Sequence, residues 1–181
     1  MLRNTRHSYG VLARVFHWLS AIAVVGALIC IEINDFFPRG STERLQLLLW
    51  HIDAGLLTAL LLVPRLLWRL GNRPPDVTPP PPPLFQLLAR AGHWALYGLM
   101  LALPLFGVLA LQAAGKPVAL FGSALPVLLS SRPGLGHVLK EVHELLGNLM
   151  LVALTVHVAA SVWHHRFLRD DTLTRLIGPL R

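Results

Sequence analysis

The chain has 181 residues, of which 54% are hydrophobic and only 14% charged, and its mean hydropathy is +0.58. A water-soluble domain carries about a quarter charged residues, so composition excludes water as the solvent for most of this polypeptide. The formal charge of +7 does not imply nucleic acid, because the cations gather at the ends of apolar runs, and the lone Cys30 rules out an internal disulfide or a cysteine-ligated cluster.

Four apolar stretches are predicted as helices, at about 11–33, 45–70, 87–114 and 138–163. Each reaches the roughly 20 residues needed to cross about 30 Å of hydrocarbon. By position the first could serve as a signal peptide, but it has no small-residue cleavage site and it contains His17. Pro64, near the end of the second stretch, and Pro104, within the third, are expected to kink or locally break their helices. Between these two stretches, Pro74-Pro75 and the run Pro79 to Pro83 predict a stiff polyproline II spacer. The connection at about 112–136 mixes apolar residues with Gly, Ser and Pro, and is expected to cap one end of the bundle as an interfacial segment. Trp18, Trp50, Trp68, Trp94 and Trp163 fall near the ends of the stretches, where an aromatic belt meets the membrane surface. The expected fold is all-α: a single membrane-embedded domain over 1–181, built as a transmembrane four-helix up-and-down bundle.

Eleven of the sixteen cations lie on one side of this topology: Arg3, Arg6, Arg14, Arg65, Arg69, Arg73, Arg90, Arg166, Arg169, Arg175 and Arg181. The other side has Arg39, Arg44, Lys116, Arg132 and Lys140, mixed with acids. The positive-inside rule therefore predicts that both termini are cytoplasmic.

Six of the nine histidines lie inside or at the mouths of the apolar stretches: His17, His51, His93, His143, His157 and His164. An ionisable side chain at that depth is costly and faces the bundle interior, a cavity or a bound ion. His143 and His157 are fourteen residues apart, so on one helix they point within roughly 40° of each other and lie about 21 Å apart along the axis. Chain direction then assigns His51 to the level of His143, in the outer layer, and His17 to the level of His157, in the inner layer. His93 rivals His17, and spacing alone does not separate them. One pair of imidazoles per layer, on different helices, suits six-coordinate haem iron, whereas zinc takes three or four ligands in one cluster. Gly55 and Gly147 each follow a histidine by four residues, which leaves room on the same helical face for a flat macrocycle.

Laid out in this way, the sequence resembles the bacterial cytochrome b561 family, small di-haem membrane cytochromes that include a superoxide oxidase. The resemblance spans nearly the whole chain. It rests on Phe16-His17-Trp18-Leu19, Phe36-Phe37-Pro38-Arg39, His51 with Gly55, Pro64-Arg65-Leu66-Leu67-Trp68-Arg69-Leu70, Gly92-His93, Leu139-Lys140 with His143-Glu144, His157 with His164-His165, and Asp171-Thr172-Leu173 with Arg175. What the resemblance implies is one haem b ligated by His17 and His157 and another by His51 and His143, with His93 outside the ligand set. It further implies a bacterial inner-membrane protein that takes electrons from superoxide at the outer face and passes them to ubiquinone. Lys116, Arg132 and Lys140 are then candidates for steering the anion, and His164, seven residues after His157, for meeting the quinone. The 112–136 connection matches the family only loosely, which leaves the identity of the steering cations open. Two other classes compete: a cytochrome b subunit anchoring a dehydrogenase or hydrogenase as its redox protein partner, and a haem-free proton or metal transporter.

Overall fold

Helix formation follows the apolar runs and extends past them wherever a residue can start a helix. In the computed structural model, which describes residues 1–177, α1 spans Val11–Asn34, α2 Thr42–Gly71, α3 Pro83–Ala113 and α4 Pro133–Trp163. Arg181, counted above with the cations of the terminal segments, lies outside the described residues. Three helices begin ahead of the predicted boundaries. The Ser41 hydroxyl accepts the Arg44 amide at 3.2 Å and caps α2. Pro83 and Pro133 open α3 and α4, because proline lacks the N–H that a first turn leaves unpaired in any case. The last proline of the expected spacer thus belongs to a helix. Neither Pro64 nor Pro104 breaks its helix, since α2 and α3 run through both.

All four helices are long and apolar enough to cross a membrane. Ile22, Leu60, Leu101 and Val152, one on each helix, are 57–67% exposed. Such a surface is a liability in water and the required surface in lipid. The buried core draws on all four helices through Val24, Leu62, Tyr97, Met100 and Met150. The fold is a transmembrane four-helix up-and-down bundle.

Packing within the bundle is uneven. Helix α1 lies chiefly on α2 and α3 on α4, and α2 joins the two hairpins through α3, whereas close backbone approach between α4 and either α1 or α2 is sparse. The result is two helical hairpins with a seam running along α4. At the start of α4 the approach to α3 is tight: a Cβ on Gly136 would stand 2.9 Å from the Ala114 nitrogen, and the Arg132 amide donates to the Ala113 carbonyl at 2.7 Å.

Each end of the bundle is closed by specific hydrogen bonds. At the end bearing the termini, the Asp76 amide donates to the Arg6 carbonyl and the Tyr9 amide to the Arg175 carbonyl, and the Thr78 amide donates to Asp171. The short helix α5, Thr172–Ile177, carries the buried Arg175, which donates to the Pro75 carbonyl and lies over the Tyr9 ring. The N-terminal segment, the connection between α2 and α3, and the segment after α4 therefore form one cap. At the opposite end the connection after α3 is a small antiparallel hairpin, β1 Ala119–Leu120 and β2 Ser123–Ala124. The buried Gln112 holds it, donating to the Pro126 carbonyl and accepting the amides of Leu128 and Leu129. This segment caps the bundle, as composition suggests, but as a folded hairpin.

Candidate cofactor site

Two imidazole pairs span the seam at two levels. His51 on α2 faces His143 on α4 with ring centres 6.0 Å apart, and His17 on α1 faces His157 on α4 with ring centres 6.4 Å apart. Metal–imidazole bonds of about 2.0 Å put the centres of two rings sharing one ion roughly 6 Å apart. Both spacings match that geometry. Both pairs also join α4 to a helix whose backbone it hardly approaches, so the seam leaves room there for a flat group.

The pair nearer the hairpin connection is oriented for ligation. The His51 Nδ1 donates to the Ala27 carbonyl of α1 at 2.8 Å, and the His143 Nδ1 donates to the Leu103 carbonyl of α3 at 3.0 Å. A carbonyl can only accept, so each Nδ1 carries the proton and each Nε2 keeps its lone pair for a metal. This is the way protein scaffolds commonly fix a ligating histidine. Gly55 and Gly147 stand one turn beyond His51 and His143, and a Cβ at either would meet nothing within 4 Å beyond its own helix backbone. That open space leaves room for a flat group beside the two rings. These features fit haem at this level.

The second pair is differently arranged. Arg65 of α2 donates from Nη2 to the His17 Nδ1 at 3.1 Å. His93 of α3 lies closer to His157 than His17 does, with ring centres 5.5 Å apart, so three imidazoles meet at this level. The spacing of His17 and His157 suits a shared ion.

Two residues of this environment escape sequence reasoning. Gly107 of α3 lies against the His143 ring: a Cβ there would stand 3.0 Å from its Cε1 and 3.2 Å from its Nδ1. Asp170, which follows α4, is buried and accepts from His164 Nδ1 at 2.5 Å and from the Thr172 amide at 2.9 Å. Burial pushes the Asp170 pKa up, but the hydrogen bonds from His164 and Thr172 outweigh it and hold the carboxyl below the usual range. His164 therefore has a fixed ring, with Nε2 as its remaining nitrogen. At the other end Lys116, Arg132 and Lys140 are all exposed, and Lys140 is ion-paired with Glu144.

A membrane bundle with paired histidines across its helices has a counterpart among known sequences: residues 8–179 match the family described as prokaryotic cytochrome b561. The chain belongs to that family. It is similar to the probable superoxide oxidase CybB of Yersinia pestis, with 32% identity over 173 residues, covering 96% of this chain and 97% of the relative. Cytochrome b561 homolog 2 of Escherichia coli (strain K12) is 34% identical over 182 residues, covering 97% and 94%. Cytochrome b561 homolog 1 of the same strain is 28% identical over 161 residues, covering 89% and 92%. Family membership and the four spanning helices make this a bacterial membrane protein of electron transport, and the family implies haem b.

Proposed function

We propose that the protein is a di-haem b electron carrier of the bacterial inner membrane that oxidises superoxide at its outer face and reduces ubiquinone. The observation that carries this reading is the pair of imidazole couples, 6.0 Å and 6.4 Å between ring centres, held across one seam at two depths. In this reading His51 and His143 ligate the outer haem, and His17 and His157 the inner one. Haem supplies the reversible one-electron couple when bound.

The protein's own residues orient the site and control access to it. Ala27 and Leu103 set the tautomer of the outer ligands through their carbonyls, and Gly55 and Gly147 keep the space beside those ligands clear. With the termini cytoplasmic, Lys116 and Arg132 stand at the outer end, where fixed cations raise the encounter rate of a small anion. Lys140 contributes least to that field, because Glu144 neutralises it locally. At the inner end Asp170 fixes the His164 ring through Nδ1–H, so that when the ring is protonated its Nε2–H can donate to a quinone carbonyl and pass that proton. Two superoxide anions would each give up one electron and leave as dioxygen, and one ubiquinone would take both electrons with two protons.

The test is direct. Purified, haem-loaded protein is mixed with a superoxide source and ubiquinone while haem reduction and quinol formation are followed. Reduction at a rate that falls with rising ionic strength, together with quinol formation, is expected. Haem that stays oxidised under a superoxide flux would reject the substrate assignment.

A further inference from the structure

The inner level holds a cluster that the ligand assignment does not use. Arg65 and Arg69 lie one turn apart on α2, and both guanidinium groups stack on the buried Tyr97 ring of α3, at 5.4 Å and 5.6 Å from its centre. Arg69 also reaches the Tyr97 hydroxyl at 3.5 Å. Between them in sequence, the buried indole Nε1 of Trp68 has no hydrogen-bond acceptor among the described residues. Among the described residues neither arginine is paired with a carboxylate. Arginines turned into a membrane bundle need a counter-charge, and stacked guanidiniums present planar forks that match an oxyanion.

Arg65 also blocks His17. Arginine can only donate, so His17 Nδ1 must accept, and a neutral ring then carries its proton on Nε2. Neither nitrogen of His17 then has a lone pair for a metal. His51 and His143, whose Nδ1 atoms donate to carbonyls, carry no such block. Ligation by His17 requires Arg65 to find another acceptor.

We propose that Arg65, Arg69 and Tyr97 form an oxyanion clamp that takes a propionate of the inner haem, and that filling it draws Arg65 away from His17 and frees that ligand. The clamp rests on the reading of His17 and His157 as ligands. The inner haem therefore depends on its carboxylates for binding, and the outer pair is competent beforehand. The same chemistry would accept a lipid phosphate, and the test separates the two sources.

Full-length Arg65→Ala/Arg69→Ala protein is purified beside wild type and His157→Ala. Haem per chain, the midpoint potential of each haem and tightly bound phospholipid phosphorus are measured. The double variant is expected to fall from two haems per chain towards one, with the outer signal intact, and that surviving signal also certifies a folded bundle. Any inner haem that remains should titrate at a lower potential, because loss of fixed positive charge favours the oxidised iron. Arg65→Lys/Arg69→Lys, which keeps the charge but not the fork, should rebind the inner haem only in part. If the double variant keeps both haems at wild-type potentials, the clamp does not exist. Loss of bound phosphorus with both haems retained would make it a lipid site and overturn the proposal. His157→Ala separates the two levels of inference: two haems in that variant would remove the ligand assignment itself, whereas one haem there and two in the double variant would remove only the clamp.

Discussion

Replacing Gly107 by alanine tests the orientation of His51 and His143, the proposed outer ligand pair, at its most exacting point. The Leu103 carbonyl that receives the His143 Nδ1 is a main-chain atom and cannot be deleted by mutation, but Gly107 lies beside the same ring. An alanine Cβ would sit 3.0 Å from the His143 Cε1 and 3.2 Å from Nδ1, so the ring must give by a few tenths of an ångström. The 3.0 Å hydrogen bond to Leu103 has little slack for that movement, because such bonds weaken as distance and angle depart from ideal. Disturbing the partner that orients a ligating histidine typically costs about 10–100-fold in metal affinity, or roughly 1.4–2.7 kcal/mol. The assay is transfer of haem from detergent-solubilised protein to an excess of a haem-accepting apoprotein, followed by absorbance. In Gly107→Ala the outer haem should leave about 10–100-fold faster relative to wild type while the inner haem is unaffected. Equal rates for both haems in a folded variant, or earlier loss of the inner haem, would refute the reasoning.

Other outcomes follow from the same geometry. His143→Ala and His51→Ala should each leave about one haem per chain, with the reduced spectrum of the inner haem unchanged, as measured by haem stoichiometry and difference spectroscopy; unchanged stoichiometry removes the residue from the ligand set. Gly147→Leu adds side chain where a Cβ would meet nothing within 4 Å beyond its own helix backbone, so circular dichroism should report an intact bundle while outer haem content falls; full haem content would show that the space serves lipid instead. Because the Asp170 pKa is depressed by folding, the cap it supports has its full stability above the usual carboxylate value of about 3.9 and loses it as pH falls towards the lowered value. Limited proteolysis of the segment after α4 should therefore accelerate at acid pH in wild type, and Asp170→Asn should flatten that dependence.

Much of this arrangement was legible in the sequence because its determinants are periodic or rare. Four long apolar runs specify four spans, and histidines within such runs are unusual enough that direction and depth alone pair His51 with His143. The inner level was harder, since His17 and His93 both approach His157 and spacing does not choose between them. The partners of the outer histidines left no trace, because Ala27 and Leu103 contribute backbone carbonyls and any residue supplies one. Gly107 was hidden for a related reason: nothing near it in sequence signals that an imidazole thirty-six residues away, on the next helix, will lie against it. Helix starts lie earlier than expected at Pro83 and Pro133, prolines expected in the spacer and in the 112–136 connection, because proline suits the first position of a helix. Arg65 and Arg69 were counted as topological charge. Only the fold turns them towards Tyr97 and His17.

The uneven packing of the bundle also bears on how the molecule is made. Each helical hairpin has its own tight turn or hairpin connection and its own dense internal contact, so a nascent chain can enter the bilayer in two instalments, the first complete before the second leaves the ribosome. Since α4 hardly approaches the backbones of α1 and α2, the two hairpins are joined there by side chains, Met150 packing with Val24 and Leu62 in the shared core and the histidines facing one another at two levels.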